Sequence, residues 1–285
     1  MRGTDPRIVL GLHRSRHERR LLTRALELGV TSLDTGFNYL GFQSHRTLAQ
    51  TAGDLLPKFT VSTKVGYLPG PHGAEHSLNP VRLLAAVEQA VRDFGREPEL
   101  VFLHNPEQSL REAGARGREA LAAACEALRE ATVKGLCGAW GVASWAPSPL
   151  PGLIDKTVPR PAVLMVRAGL LVGAGTLDAT DALTAAWGLG SGEVWGMSPF
   201  AGSASSPVWE RFDPRVFLRG DSGFSRVQAA FRIAYALPRV AAVAVGTDQP
   251  SHLAELVDAL NAGVNTSVTD EYRCLLRERF RGQPD

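Results

Sequence analysis

Short apolar runs recur along the chain, each ending in polar residues or glycine and each followed by a segment whose apolar positions have helical spacing. The first, RIVLGL (7–12), leads into RHERRLLTRALELG (16–29), where Leu21, Leu22, Ala25 and Leu28 form an apolar stripe and Gly29 offers a stop. VTSLDT (30–35) leads to SHRTLAQTAGDLL (44–56), and FTVSTKVG (59–66) to NPVRLLAAVEQAVRDFG (79–95). PELVFLHNP (98–106) precedes an alanine-rich helix over GREALAAACEALREATVKG (117–135). GAWGVAS (138–144), PAVLMVR (161–167), EVWGMSP (193–199) and VAAVAVGT (240–247) complete the strands, with helices expected around 149–155, 178–188, 223–236 and 250–262. The segment from 264 predicts a last helix outside the main fold, ending in a mobile tail.

About eight strand–helix units in one chain of 285 residues predict an α/β fold, a (β/α)8 TIM barrel, as a single domain over 1–285. Strands covered on both faces read as continuous apolar runs, as LVFL and VAAVAV do. An open doubly wound sheet is the competitor, but no glycine-rich turn follows the first strand, and GLGSGE (188–193) precedes a strand instead.

Composition narrows the class. At 44% apolar and 21% charged residues the chain reads as a soluble globular protein, and its net charge of +2 gives no reason to expect nucleic acid or a membrane surface as partner. Cys125, Cys137 and Cys274 have neither metal-ligand nor disulfide-framework spacing. No run has membrane length, and the N-terminal apolar run is too short for a signal peptide core, so the expected compartment is cytoplasmic.

The chemistry gathers where strands end, the face on which such barrels carry their active sites. Asp34 ends the second strand, Lys64 the third and His104 the fourth, while Tyr39 lies in the loop after the second. Taken singly, Asp34 suits a turn, Lys64 a solvated loop, Tyr39 a packing position and His104 a core hydrogen bond. Their occurrence together at three successive strand ends is hard to obtain from packing alone. HGAEH (72–76) lacks the internal glutamate of a metalloprotease helix and reads as a Pro/Gly loop, and His13 and His17, among four arginines, read as a solvated helix entrance.

LDTGFNY, STKVG, LVFLHNPE, VKGLCGAWGVAS, MSPFAGS and VAAVAVGTDQPSHLAEL, in that order, resemble the aldo-keto reductase family from about residue 8 to about residue 262. The resemblance implies a (β/α)8 barrel that reduces carbonyls with NADPH, and it places the family's tetrad on Asp34, Tyr39, Lys64 and His104. Hydride delivered to a carbonyl carbon leaves charge on oxygen that needs a proton donor. An ammonium ~4 Å from the phenol favours its phenolate by about 4 kcal/mol at an effective dielectric of ~20, before burial pushes back. The expectation is that Asp34 keeps Lys64 charged, Lys64 acidifies Tyr39, and His104 orients the carbonyl oxygen of a small-molecule substrate.

The resemblance also implies cofactor contacts at Ser144, Met165, Ser198, Phe200, Gly202, Gly246, Thr247, His252 and Glu255. Several depart from the family pattern. Trp145 replaces the asparagine after Ser144, Met165 the glutamine of the sixth strand, and Met197 an aromatic residue. Gly246 and His252 stand where NADPH-specific members present a lysine and an arginine, with Arg211 and Arg215 as nearby substitutes. The resemblance favours NADPH, but losing one charge-assisted phosphate contact costs about 1.5–3 kcal/mol, which keeps NADH as the alternative. After Tyr39, Ser44 suits a helix N-cap and His45 stands where glutamate is customary.

Two other functions compete. One is a barrel that binds a metabolite or partner without redox turnover, which predicts a dispensable tetrad. The other is a cofactor-independent acid–base enzyme for dehydration or epimerisation, which predicts turnover in nucleotide-free protein. Phe37, Phe42, Tyr67, Trp140 and Trp145 are candidate pocket or core aromatics; substrate identity and oligomeric state are not legible.

Overall fold

The computed structural model describes residues 7–110, 116–220 and 223–281. Eight parallel strands close into a barrel: β1 (Arg7–Gly11), β2 (Ser32–Asp34), β3 (Thr60–Val65), β6 (Leu100–His104), β7 (Ala139–Ser144), β8 (Val163–Arg167), β9 (Val194–Met197) and β10 (Ala242–Val245), with β10 pairing back onto β1. Closure leaves no strand edge unpaired. The helices α1 (Arg19–Glu27), α2 (Ser44–Ala52), α3 (Pro80–Phe94), α5 (Gly117–Val133), α6 (Ala174–Trp187) and α8 (Arg226–Ile233) lie between strands in the chain, and α9 (Pro250–Ala259) follows the last one. Their apolar stripes bury Leu21, Leu22 and Ala25 of α1 and Leu83, Val87 and Ala90 of α3, among others, against the outside of the barrel.

Alternation along each strand decides what reaches the interior. On β6, Val101 and Leu103 pack outward with the helices, whereas Leu100 and Phe102 join Val9, Ala143, Met165 and Trp195 inside. His104 continues the inward series at the open end. On β3, Val61 and Val65 face the helices, which turns Ser62 and Lys64 inward, and on β2 Leu33 faces outward and Asp34 inward. The register sets Asp34 beside Ser62 and Lys64 beside Phe102. Period-two sidedness thus delivers the acid, the ammonium and the imidazole to one mouth.

The expected helix at 149–155 is only a single 3-10 turn, Pro151–Leu153. Pro149 and Pro151 remove two amide donors from that stretch, and Pro147 and Pro159 flank it. The segment after β3, expected as a loop, is an antiparallel hairpin of β4 (Tyr67–Gly70) and β5 (Gly73–His76), with Tyr67 opposite His76. Two one-turn helices, α4 (Glu107–Leu110) and α7 (Val208–Arg211), escaped the sequence pattern. The terminal helix α10 (Thr266–Arg281) does pack outside the barrel, joined to α6 by Arg277 with Asp178 and Asp181 at 2.6 and 2.7 Å; the expected tail beyond it lies outside the described residues.

Ser44 and His17 correct two further expectations. Ser44 does not cap α2: its hydroxyl, fully buried, shares hydrogen bonds with His17 Nε2 and with Thr35 Oγ1, both at 2.6 Å. His17 is therefore an interior residue and not part of a solvated face. His45 is buried too, stacked on Phe94 at 4.3 Å between ring centres and bonded to Thr63 Oγ1 at 2.7 Å. Burial, only partly opposed by Asp93, drops the His45 imidazole from 6.5 to about 3. Below pH 6.5 the unfolded chain takes up a proton that the folded chain refuses, so stability is lost as pH falls towards 3. At pH 5 this one residue should remove about 2 kcal/mol relative to neutral pH. Thermal unfolding of wild type and His45→Gln at pH 7 and pH 5 checks this: the variant should show a smaller drop between the two.

Candidate active site

A cavity of about 580 Å³ opens at the C-terminal ends of the strands. Asp34, Tyr39, Lys64 and His104 line it together. Lys64, 2% exposed, donates to Asp34 Oδ2, to the Thr35 carbonyl at 2.8 Å and to the Tyr39 hydroxyl at 3.3 Å. Ser62 Oγ donates to the second Asp34 oxygen at 2.9 Å, so both oxygens of the carboxylate are held. Tyr39 and His104 meet edge to face at 6.3 Å, and His13 lies edge-on to the phenol at 4.9 Å.

Backbone shape sets these positions. A Cβ on Gly36 would stand 2.8 Å from Tyr39 Cε1, so the phenol ring rests on bare backbone. Gly66, at φ 145°, lets the hairpin turn away from β3; a Cβ there would stand 2.9 Å from the His104 carbonyl oxygen. That carbonyl also accepts a hydrogen bond from His76 Nε2 at 2.7 Å. Arg14, Asn105 and Ser198, all on the cavity wall, hold positive φ values of 63°, 50° and 55°. Strain of this kind costs of order 1–3 kcal/mol per residue and concentrates at functional sites.

Electrostatics follow from burial. It is the largest influence on Tyr39 and raises the phenol above its ordinary 10.0; Lys64 pulls the other way without cancelling it. The expected acidification by Lys64 is thus real in sign and smaller than the desolvation it opposes. Burial also pulls Lys64 down, but Asp34 and Tyr39 together carry it above 10.5, so the ammonium is retained. Burial, then Lys64, His76 and His13, push His104 well below 6.5, leaving a neutral imidazole whose Nδ1 has no protein partner.

Of the residues expected at a cofactor, Ser198, Phe200, Gly202, Gly246 and Thr247 line the cavity. Ser144 is buried with an unpartnered hydroxyl, outside the lining. Met165 lies deeper, packed inside the barrel with Ala143 and Trp195. His252 and Glu255 are exposed on α9 and outside the lining. Arg211 and Arg215 do not reach it either; Arg215 pairs with Asp213 at 2.7 Å.

Sequence reasoning missed His13, Arg14, Asn38, Asn105 and Asp248 on the wall. His13 follows Gly11, the last residue of β1, by two positions, so the strand-end rule used for the tetrad reaches it. Asn38 Oδ1 is buried and unpartnered beside Tyr39. Of the candidate aromatics, Tyr67 and Trp145 line the cavity, Phe37 and Trp140 are core, and Phe42 packs against that core.

Among the described residues no group of three or more His, Cys, Asp or Glu is arranged to hold a metal ion, and no helix is long and apolar enough to cross a membrane. A buried Asp–Lys–Tyr chain with a neutral histidine thus lies at the mouth of a (β/α)8 barrel. The sequence profile of the Aldo/keto reductase family matches residues 13–182, and the chain belongs to that family. Membership makes it a carbonyl oxidoreductase in general terms, of a family that generally uses nicotinamide cofactors. Similar solved structures include the holo form of aldo-keto reductase AKR11C1 from Bacillus halodurans, at 19% identity and TM-score 0.70 over 94% of this chain and 91% of that one. The thermostable aldo-keto reductase Tm1743, solved with the inhibitor epalrestat, gives 19% and 0.70 over 94% of both chains. An aldo/keto reductase from Brucella melitensis gives 14% and 0.65, again over 94% of both. At these identities they bear on the fold alone. No curated protein sequence matches the chain.

Proposed function

We propose that the protein reduces an aldehyde or ketone with a nicotinamide nucleotide, NADPH ahead of NADH, with Tyr39 as the proton donor. The observation that carries this reading is the buried chain from Asp34 through Lys64 to the Tyr39 hydroxyl, with His104 facing the same cavity.

The wall suits such a cofactor in part. Ser198, Phe200, Gly202, Gly246 and Thr247 line the side of the cavity away from His104, at the ends of β9 and β10, and the two glycines leave backbone open to a ligand. Arg14, on the loop after β1, is a cation on the same wall, and Asp248 is an anion there. These residues would hold the nucleotide, which when bound supplies hydride to the substrate carbon.

The chain's own groups do the rest. His104, neutral, donates one hydrogen bond to the carbonyl oxygen without adding charge. Tyr39 gives its hydroxyl proton to that oxygen as charge develops, and Lys64 stabilises the phenolate left behind at 3.3 Å. Asp34 and the Thr35 carbonyl keep the ammonium in place. One proton taken back from solvent restores Tyr39. The net change is one hydride and one proton added across the carbonyl.

Two measurements test this. A thermal-shift titration with NADPH and NADH separately should raise the melting temperature with at least one of them, more with NADPH; no shift with either at millimolar concentration rejects the reading. The single-turnover rate of reduction should be flat from pH 6.5 upward and fall only as pH passes above 10, because deprotonating Tyr39 removes the donor and its raised value delays that loss. An acid-side loss centred near pH 6.5 would contradict a neutral His104.

A further inference from the structure

His13 is an imidazole at the mouth that the reduction leaves unused. It stands two residues past β1, in a tight turn closed by the Ser15 amide donating to the Leu12 carbonyl at 3.1 Å. Arg14 takes the left-handed backbone of that turn at φ 63°, and the Leu12 amide donates to the Asp34 carbonyl at 2.8 Å, which ties the turn to the end of β2. The His13 ring itself, exposed and on the cavity wall, lies edge-on to Tyr39 at 4.9 Å. Among the described residues it has no hydrogen-bond partner, so its nitrogens are uncommitted.

The neighbours set its state. Arg14 on its own turn, Lys64 from β3, Asp34 from β2 and the His104 imidazole from β6 are the ionisable groups around it, with the Tyr39 phenol in contact. Burial, then Arg14 and Lys64, hold His13 below 6.5 against the pull of Asp34. At neutral pH it is uncharged and able to take a proton.

Three functions then surround one point. Tyr39 and His104 offer donors to a carbonyl oxygen, and Lys64, 3.3 Å behind the phenol, supports negative charge there. The α carbon lies two bonds from that oxygen, about 2.4 Å. That span is shorter than the 4.9 Å between the two ring centres, so an imidazole beside the phenol is within reach of the carbon. His104 is not free for the task, since it is engaged at the oxygen and its Nδ1 is buried. Donors at the oxygen with a neutral base near the α carbon form the arrangement that enolises carbonyl compounds.

We propose that the cavity has a second activity that uses no nucleotide: enolisation of α-hydroxy aldehydes and ketones, with His13 as the base that removes the α proton. The C–H electron pair becomes the carbon–carbon double bond, and the carbonyl oxygen takes the Tyr39 proton, leaving a phenolate beside Lys64. An α-hydroxyl acidifies the C–H and makes the product an enediol. Return of a proton from His13 to either carbon, and of the enol proton to Tyr39, gives back the substrate or its isomer, with no net oxidation.

The test is exchange. Nucleotide-free protein is incubated in deuterium oxide with hydroxyacetone and with α-hydroxyacetophenone, and loss of the methylene proton signal is followed by NMR against buffer alone. Wild type should exchange at least one of them about tenfold or more faster than buffer, well within the worth of a positioned base. His13→Gln and His13→Ala should fall to within about twofold of buffer, as should Tyr39→Phe, with circular dichroism confirming that each is folded. The wild-type rate should also drop as pH falls below 6.5, because protonated His13 no longer accepts. Exchange at the buffer rate with both probes, a wild-type rate in the folded His13 variants, or a rate that does not fall below pH 6.5 overturns the proposal. Reduction is read separately, as alcohol formed only with nucleotide, so either activity fails without the other.

Discussion

Replacing Tyr39 by phenylalanine should lower kcat for carbonyl reduction by about 10²- to 10⁴-fold, the usual worth of a positioned proton donor. The fold has little reason to suffer, since the ring stays against Gly36 and His13 and only a 3.3 Å contact with Lys64 is lost. Steady-state rates with an aldehyde panel, alongside the melting temperature, separate the two effects. KM should change much less than kcat, because the hydroxyl acts on charge that develops in the transition state. A variant with near wild-type kcat would remove Tyr39 from the chemistry and favour either a binding role or another proton donor.

The second large effect concerns Lys64. Changing it to methionine leaves Asp34, 4% exposed, as an anion held only by the Ser62 hydroxyl. Breaking a buried pair from one side costs about 3–5 kcal/mol, which for a chain of this size lowers the melting temperature by roughly 5–8 °C. The double change Asp34→Asn with Lys64→Met removes both charges, and most of that stability should return. Activity should not return, since no cation then faces the phenol. Calorimetry and rates on the single and double variants make the cycle. Recovery of both stability and activity in the double variant would show that the pair serves only to hold the fold.

What the sequence could reveal follows from how each residue reaches the site. Asp34, Lys64 and His104 sit at the ends of apolar runs, and the barrel's two-residue alternation turns the last inward position of each into a rim position. A reader of the sequence needs only the strand ends to find them. His13 obeys the same rule but is hidden by the arginines that surround it, which make the segment read as a solvated helix start. His17 and Ser44 are hidden for another reason: their hydrogen bond joins residues 27 apart in the chain, and nothing local signals it.

The β4–β5 hairpin was illegible because Pro69, Gly70, Pro71 and Gly73 interrupt any alternation, although Tyr67 and His76 at its base pair across it. Met165, expected at the cofactor, lies one layer too deep. Its neighbours Ala143 and Trp195 show that the sixth barrel strand presents it to the interior packing, a matter of register that spacing along one strand does not fix. His252 and Glu255 face outward on α9 for the same kind of reason, since the helix face that reaches the barrel carries Leu253, Leu256 and Ala259.

The proposed chemistry is hydride transfer to a carbonyl at the mouth shared by Tyr39, Lys64 and His104. Purified protein incubated with benzaldehyde and hexanal and with NADPH or NADH carrying deuterium on either face of C4 tests it most directly, by mass spectrometry of the alcohols. Alcohol one mass unit heavier is expected from one deuterated face, and it should nearly disappear in Tyr39→Phe. Absence of labelled alcohol from wild-type protein with every cofactor, or equal labelling by wild type and variant, would contradict it.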